Sequence, residues 1–407
     1  MRPSRLWGQF GWVSAGRIVA ALVQAGSMLL LARLISPGLF GWFAAAQGVL
    51  LIAQAASSLG LGTFIVRERA RNPSGPSVYS ALRLNEVTSL IFATTLAAFI
   101  AAIAPFEPRL WPFIPLALAA ACERSADVWL NVAVADGDAR VNTVNLIARR
   151  FTAAATFLLL ITVVPIDPIL AFGSGSLIAA ALSWMFARRF IMRRNVFDSS
   201  PTSARAILRE SRPYWANSIA TQVRNLDTTI VLAVTTSAQA GFYGLAARLT
   251  TPLRLLPTSL AAVVLPMAAR TRRDSLSSLV RVVLVSCICL SIFYIGVFIA
   301  IPWAIPAALG AAYSPAIPAV QVTTLGLIAA GCASILNAVL QGVGLGVFAS
   351  RAAFVMTITC LGGVAAGGAA YGALGASVGL ATSYVVQASM LALRLTMYAR
   401  RREDDCE

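Results

Sequence analysis

The chain has 407 residues, of which 58% are apolar and only 12% charged, with a mean hydropathy of +0.78. Soluble domains carry about 25% charge, so a water-soluble globular enzyme is excluded. All 32 basic residues are arginine against 16 acids, and His is absent. That excludes imidazole metal sites and His-based catalysis. In so apolar a chain the excess of +16 reads as membrane orientation, not nucleic-acid binding.

A membrane helix takes about 20 apolar residues. Runs of that kind predict spans at 9–33, 39–63, 79–104, 110–134, 144–164 and 168–188. A second set follows at 213–236, 241–268, 279–303, 316–341, 351–370 and 374–397. The first run, behind Arg2 and Arg5, has the look of a signal peptide, but it continues to about Leu31 and further spans follow it. It therefore reads as an uncleaved first helix. The connections are short, and no segment is expected to fold as a soluble domain.

Arginines gather after the even-numbered spans. Arg67, Arg69 and Arg71 follow the second, and Arg140, Arg149 and Arg150 the fourth. Arg188, Arg189, Arg193, Arg194, Arg205, Arg209 and Arg212 follow the sixth, and Arg270, Arg272 and Arg273 the eighth. Arg351 follows the tenth and Arg400, Arg401 and Arg402 the twelfth, whereas the odd connections offer only Arg33 and Arg109. Both termini and every even connection are thus expected in the cytoplasm. Trp42, Trp111 and Trp303 then fall near the outer interface, where indole is favoured. The six cysteines, Cys122, Cys287, Cys289, Cys332, Cys360 and Cys406, lie in apolar runs or the charged tail and are expected as free thiols.

The sequence also repeats weakly. Gly41-Trp42-Phe43 recurs as Gly241-Phe242-Tyr243, an offset of 200. Six spans followed by six similar ones predict two pseudo-symmetric lobes, divided as 1–200 (helices one to six) and 201–407 (helices seven to twelve).

The stretch LLLARLISPGLFGWFAAAQGVLLIAQAASSLGLGTFIVRE resembles the opening of polysaccharide flippases, "aRlL-x-P-x-x-[FY]-G", a helix, then "GlgtaivRe". GFYGLAARLTTPLRLLPTSLAAVVLPMAAR resembles "vGlYsaA…lp…lfPalsr", GAAYSPAIPAVQV resembles "G-x-x-Y-x-x-A-x-x-v-l", and YGALGASVGLATSYV resembles "yGalGaAla". The motifs occur in order over nearly the whole chain. The chain thus resembles the Wzx-type lipid-linked oligosaccharide flippases, within the superfamily of multidrug and toxin extrusion (MATE) transporters and the lipid II flippase MurJ. That resemblance implies an all-α integral membrane fold, a V-shaped bundle of two six-helix lobes working by alternating access. The implied substrate is an undecaprenyl-pyrophosphate-linked oligosaccharide, carried from the cytoplasmic to the periplasmic leaflet of the bacterial inner membrane for surface polysaccharide such as lipopolysaccharide or exopolysaccharide. A polysaccharide polymerase and a chain-length regulator are the implied protein partners, beside membrane lipids. MurJ-like proteins often carry fourteen spans, and the extra pair is not found here.

A flippase breaks no covalent bond, so no catalytic residue, metal or cofactor is expected. It needs a polar path for a dense anion, which Arg serves through bidentate hydrogen bonds and a permanent charge. Charged groups at membrane depth tend to face a bundle interior or aqueous cavity. The candidate substrate-binding residues are Arg17 and Gln24 in span one, Arg224 in span seven, and Arg248 and Arg254 in span eight. Asn217, Thr221, Arg224 and Thr228 are spaced as one helical stripe, so Asn217 and Thr221 join the set. Pro252 and Pro257 should bend span eight. The bland alternative is that these arginines pair with acids, such as Asp227 beside Arg224, or snorkel to an interface.

Glu123 and Asp127 share a face of span four, and with Asp227 they are the candidate ion-coupling acids. The alternative for the pair is an internal ion-pair cluster neutralised by Arg124 and a neighbouring helix. Asn85 and Glu86 in span three are weaker candidates for the same roles. Two other functions compete with the flippase. A drug exporter of the same superfamily shares the architecture, but embedded Arg favours an anionic substrate over cationic drugs. A glycan-assembly enzyme would need a sizeable outer loop, which the short odd connections do not supply.

Overall fold

The computed structural model describes residues 3–72, 75–194, 202–270, 276–343 and 345–404. The side chains of 3–11, 217, 262–263, 265–270, 276–280, 282 and 398–404 are outside that description. Asn217, Arg2, Arg5, Arg270, Arg272, Arg273, Arg400, Arg401, Arg402 and Cys406, named above from sequence, therefore lie outside the described residues or side chains.

Among the described residues the chain is helical throughout, with no strand. The helices are α1 (Pro3–Leu34), α2 (Pro37–Ser57), α3 (Leu61–Arg71), α4 (Pro76–Ile103), α5 (Ile114–Ala135), α6 (Ala139–Val163) and α7 (Pro168–Arg194). They continue as α8 (Ala204–Gln222), α9 (Asp227–Val234), α10 (Ser237–Leu253), α11 (Leu255–Arg270), α12 (Leu276–Leu309), α13 (Ile317–Gly342) and α14 (Gly346–Asp404). Each of the twelve predicted spans coincides with one helix, a broken pair of helices, or half of α14.

Eight of the described helical stretches are long and apolar enough to cross a membrane, the last of them, Gly346–Met397, being long enough for two spans. The predicted spans outside that set are the fourth, seventh and eighth. Their exclusion has a chemical cause. α5 carries Glu123, Arg124 and Asp127 in its middle. The seventh span is α8 and α9 joined by a 3-10 turn, Val223–Leu226. The eighth is α10 and α11, broken at Arg254. Charge lowers hydropathy and a break shortens each helix, and both are tolerated at membrane depth where protein surrounds them.

Packing divides the chain into two compact units: Met1–Leu34 with Val49–Val223, and Ile35–Gly48 with Arg224–Glu407. This partition differs from a cut at 200/201, because the start of α2 packs with the second unit and α8 with the first.

In the first unit α5 is central, packing on α3, α4 and α7, while α6 packs on α1 and α7. Leu61, Phe64, Ile65, Leu82, Trp129, Leu130 and Ile191 belong to one apolar cluster of this unit. α7 opens with an aspartate cap: Asp167 Oδ1 accepts from the N–H groups of Ile169 (2.8 Å) and Leu170 (3.0 Å), satisfying two donors that a helix start leaves free.

In the second unit α13 packs on α14, α11 and α12. α14 reverses at Tyr371 and Gly372, whose backbone is not helical; Gly372 has φ 60°, a conformation that favours glycine. The two halves then lie close through Gly363 and Gly367 on one side and Gly379 and Gly375 on the other, small residues that let backbones approach.

The break in the eighth span follows from Pro257. Proline cannot donate to the carbonyl four residues back, which belongs to Leu253. The Tyr294 hydroxyl donates to that carbonyl instead, at 3.0 Å.

Candidate functional site

In the second unit three arginines gather around one acid. Asp227, opening α9, accepts from the Thr228 N–H (2.6 Å) and hydroxyl (3.1 Å) through Oδ1, and from the buried Tyr243 hydroxyl (3.0 Å) through Oδ2. Its oxygens are thus held by neutral donors. Arg248 and Arg254 lie within electrostatic reach of Asp227, and Arg254 within reach of Arg224. Arg248 Nη2 donates to the Ala44 carbonyl at 3.3 Å. Arg254 lies over the ring of Tyr384, 5.4 Å from its centroid, a cation–π contact.

Among the described residues none of Arg224, Arg248 and Arg254 forms an ion pair. Arg224 does not pair with Asp227, although the two are three residues apart; both carboxylate oxygens are taken by Thr228 and Tyr243. The 3-10 turn interrupts the predicted polar stripe. Thr228 is buried against Asp227, and Thr221, in the first unit, donates to its own helix at Ser218 (2.8 Å). The cluster carries three guanidinium charges and one carboxylate, a net excess of positive charge on half-buried side chains.

In the first unit Arg17 is exposed and Gln24 half-buried on α1. Glu123 and Asp127 are ion-paired from α6. Arg149, with its side chain 4% exposed, meets Glu123 at 3.0 Å and Asp127 at 2.9 Å, and Arg150 meets Glu123 at 2.7 Å. Arg149 and Arg150, assigned from sequence to the connection after span four, lie well inside α6. Arg124 turns the other way. Its guanidinium donates to the hydroxyls of Ser57, Thr88 (3.1 Å) and Ser89 (2.7 Å) and lies over the Phe92 ring. It makes no ion pair among the described residues. Asn85 is buried and donates to Ser125 (3.4 Å), and Glu86 pairs with Arg188 at 3.0 Å.

Sequence reasoning named the charges but missed the aromatic hydroxyls Tyr243 and Tyr294 and the Tyr384 ring. Each lies in an apolar run, Tyr243 and Tyr294 directly after a phenylalanine, with no local signal that an embedded polar group lies opposite.

Residues 30–318 match the model of a family described as polysaccharide biosynthesis protein. No curated protein matches the chain. Among solved structures, an inward-facing multidrug resistance MATE transporter of the MOP superfamily superposes with a TM-score of 0.75 at 14% identity, over 95% of this chain and 96% of that one. Lipid II flippase MurJ in an inward closed conformation gives 0.71 at 13% identity, over 94% and 87%. An outward-facing MATE transporter gives 0.64 at 16% identity, over 97% and 96%. These likenesses establish the fold, and the family match extends across both packing units. The chain belongs to the polysaccharide biosynthesis protein family, as an all-helical multi-pass membrane protein with the fold of MATE transporters and MurJ.

Proposed function

We propose that the protein translocates an undecaprenyl-pyrophosphate-linked oligosaccharide from the cytoplasmic to the periplasmic leaflet of a bacterial inner membrane by alternating access, without covalent chemistry. The observation that carries this reading is the Arg224, Arg248 and Arg254 cluster, which has no ion pair among the described residues and only Asp227 in its midst. Embedded cations are costly unless paired, and a pyrophosphate brings the missing charge together with oxygens that match guanidinium geometry. Arg17, Gln24, Asn217 and Thr221 belong to the proposed path. The ion pairs of Glu123 and Asp127 support a structural role more than ion coupling.

The test is transport of a fluorescent lipid-linked oligosaccharide in proteoliposomes. The wild type is expected to move it, and Arg224→Gln, Arg248→Gln and Arg254→Gln each to slow it by about tenfold or more, the effect of losing one charge-assisted hydrogen bond. Full transport by all three variants, or efflux of cationic dyes instead of the glycolipid, would overturn the assignment. The same reading places both termini in the cytoplasm, which a reporter fused after Glu407 checks: activity only in the periplasmic form of the reporter would contradict it.

A further inference from the structure

The C-terminal end of α7 carries Arg188, Arg189, Arg193 and Arg194, and their partners divide them into two kinds. Arg188 meets Glu86 at 3.0 Å and Arg194 meets Asp138 at 2.7 Å. Arg189 and Arg193 are exposed and form no ion pair among the described residues. They stand one turn apart on one helix face, ~6 Å along the axis, where like charges repel. Membrane orientation accounts for an excess of arginine at this end, but not for two unpaired guanidinium groups on a single face.

That face borders an open cavity of about 620 Å³, whose described wall is graded along the helix. Leu182, Met185 and Phe186 make one part, and Arg189, Arg193 and Arg194 make the rim. The three apolar side chains are exposed. Phe190 lies where the zones meet: its ring stacks on Phe186 with centroids 5.7 Å apart, and the Arg194 guanidinium lies over it at 5.7 Å. Among the described residues no carboxylate lines the cavity.

The depth of the rim follows from the length of α7. The helix begins at Pro168, behind the exposed Asp167 that caps it. Arg189 lies ~32 Å further along, at 1.5 Å per residue, and the hydrocarbon core is about 30 Å thick. The rim is therefore level with the lipid headgroups, and Leu182, ~10 Å before it, is level with the acyl chains. A phosphate ester fits the rim, because its oxygens accept from both guanidinium groups. A free anion would leave the apolar zone bare, and a zwitterionic lipid brings an ammonium that the rim repels.

We propose that this groove binds an anionic phospholipid, its phosphate bridging Arg189 and Arg193 and its acyl chains lying on Leu182, Met185 and Phe186. The site uses none of Arg224, Arg248 and Arg254 and stands apart from the substrate proposed above.

The experiment is native mass spectrometry of the full chain released from nanodiscs of phosphatidylcholine with a minor share of phosphatidylglycerol. The wild type is expected to retain phosphatidylglycerol preferentially. Arg189→Gln and Arg193→Gln are each expected to cut that retention roughly fivefold. Phe186→Ala keeps every charge and is expected to cut it by at least as much. All three side chains are exposed or at the lipid face, so the substitutions leave the packing intact. Arg140→Gln removes one exposed charge at the start of α6, outside the groove, and is expected to leave retention unchanged. Equal retention of both lipids would overturn the site. So would a loss in Arg140→Gln as large as in Arg189→Gln, which would assign the preference to overall charge. A parallel arm follows thermal unfolding in detergent against inorganic phosphate; stabilisation that depends on Arg189 and Arg193, with no retained lipid, would overturn the lipid in favour of the free ion. Glycolipid transport by the three unit-two arginine variants reads the substrate assignment separately.

Discussion

Gly41 of α2 and Gly241 of α10, two hundred residues apart, lie backbone against backbone in a reciprocal crossing. A Cβ on Gly41 would fall on the carbonyl oxygen of Ser237 and within 2.7 Å of the Gly241 nitrogen. A Cβ on Gly241 would fall on the carbonyl oxygen of Pro37 and within 3.2 Å of the Gly41 nitrogen. Pro37 and Ser237 share the same offset of 200. The weak internal repeat is therefore a local two-fold in space, in which each copy presents the same groups to the other.

The crossing leaves no room for a methyl group, since the obstructing atoms are backbone. Gly41→Ala and Gly241→Ala are each expected to destabilise the protein by about 1–3 kcal/mol, the usual cost of overpacking. Gly26→Ala has nothing within 4 Å of the added carbon and is expected to be neutral or slightly stabilising. Thermal unfolding in detergent checks all three; equal melting temperatures across the set would refute the crossing.

Arg149 holds two carboxylates from one side chain. Arg149→Met is expected to cost on the order of 3 kcal/mol, because removing one member of a buried pair strands the rest. Arg150→Met should cost less, since Arg150 is more exposed and Glu123 keeps Arg149. Adding Glu123→Gln and Asp127→Asn to Arg149→Met should recover part of the loss. A triple variant no more stable than Arg149→Met would show that the pairing carries little of the effect.

The reversal of α14 is stapled from α10. Gln239 Oε1 accepts from the Ala373 N–H at 2.8 Å, directly after Gly372. Gln239→Leu leaves that amide unpartnered, a cost of about 1–3 kcal/mol. Gly372→Ala is expected to be worse, since it adds a clash with Gln239 to a positive φ. Hydrogen exchange should rise at 371–375 in Gln239→Leu, and protection matching the wild type there would exclude the staple.

Tyr294 links packing to the arginine cluster, because its hydroxyl satisfies the Leu253 carbonyl next to Arg254. Tyr294→Phe is expected to lose about 1–2 kcal/mol of stability and to lower glycolipid transport while Arg254 itself is intact. Proteoliposome transport and unfolding measured on the same preparation decide it. An unchanged rate would confine Tyr294 to a structural part.

Much of the architecture was legible without coordinates. Spans with little charge, such as 79–104 and 168–188, are long and mostly apolar runs, and each coincides with an unbroken helix. Pro252 and Pro257 announced the bend at Arg254 because proline withdraws a backbone donor wherever it sits. The Gly41 and Gly241 motifs announced the repeat. These features depend on local chemistry and on hydropathy summed over a span.

What the tertiary structure decided was the partner of each embedded charge. Sequence neighbours proposed Arg124 for Glu123 and Asp127, and Asp227 for Arg224. The acids instead pair with Arg149 and Arg150 of α6, Arg124 turns to hydroxyls of α2 and α4, and Asp227 is held by Thr228 and Tyr243. Adjacent residues on a helix point about 100° apart, so neighbours in sequence rarely meet, while side chains from separate helices do. The number and placement of the helices follow from each segment's own contest between water and hydrocarbon. Charge balance at depth is settled only by which helix faces which, because an ionised group in low dielectric is governed by the few atoms that touch it.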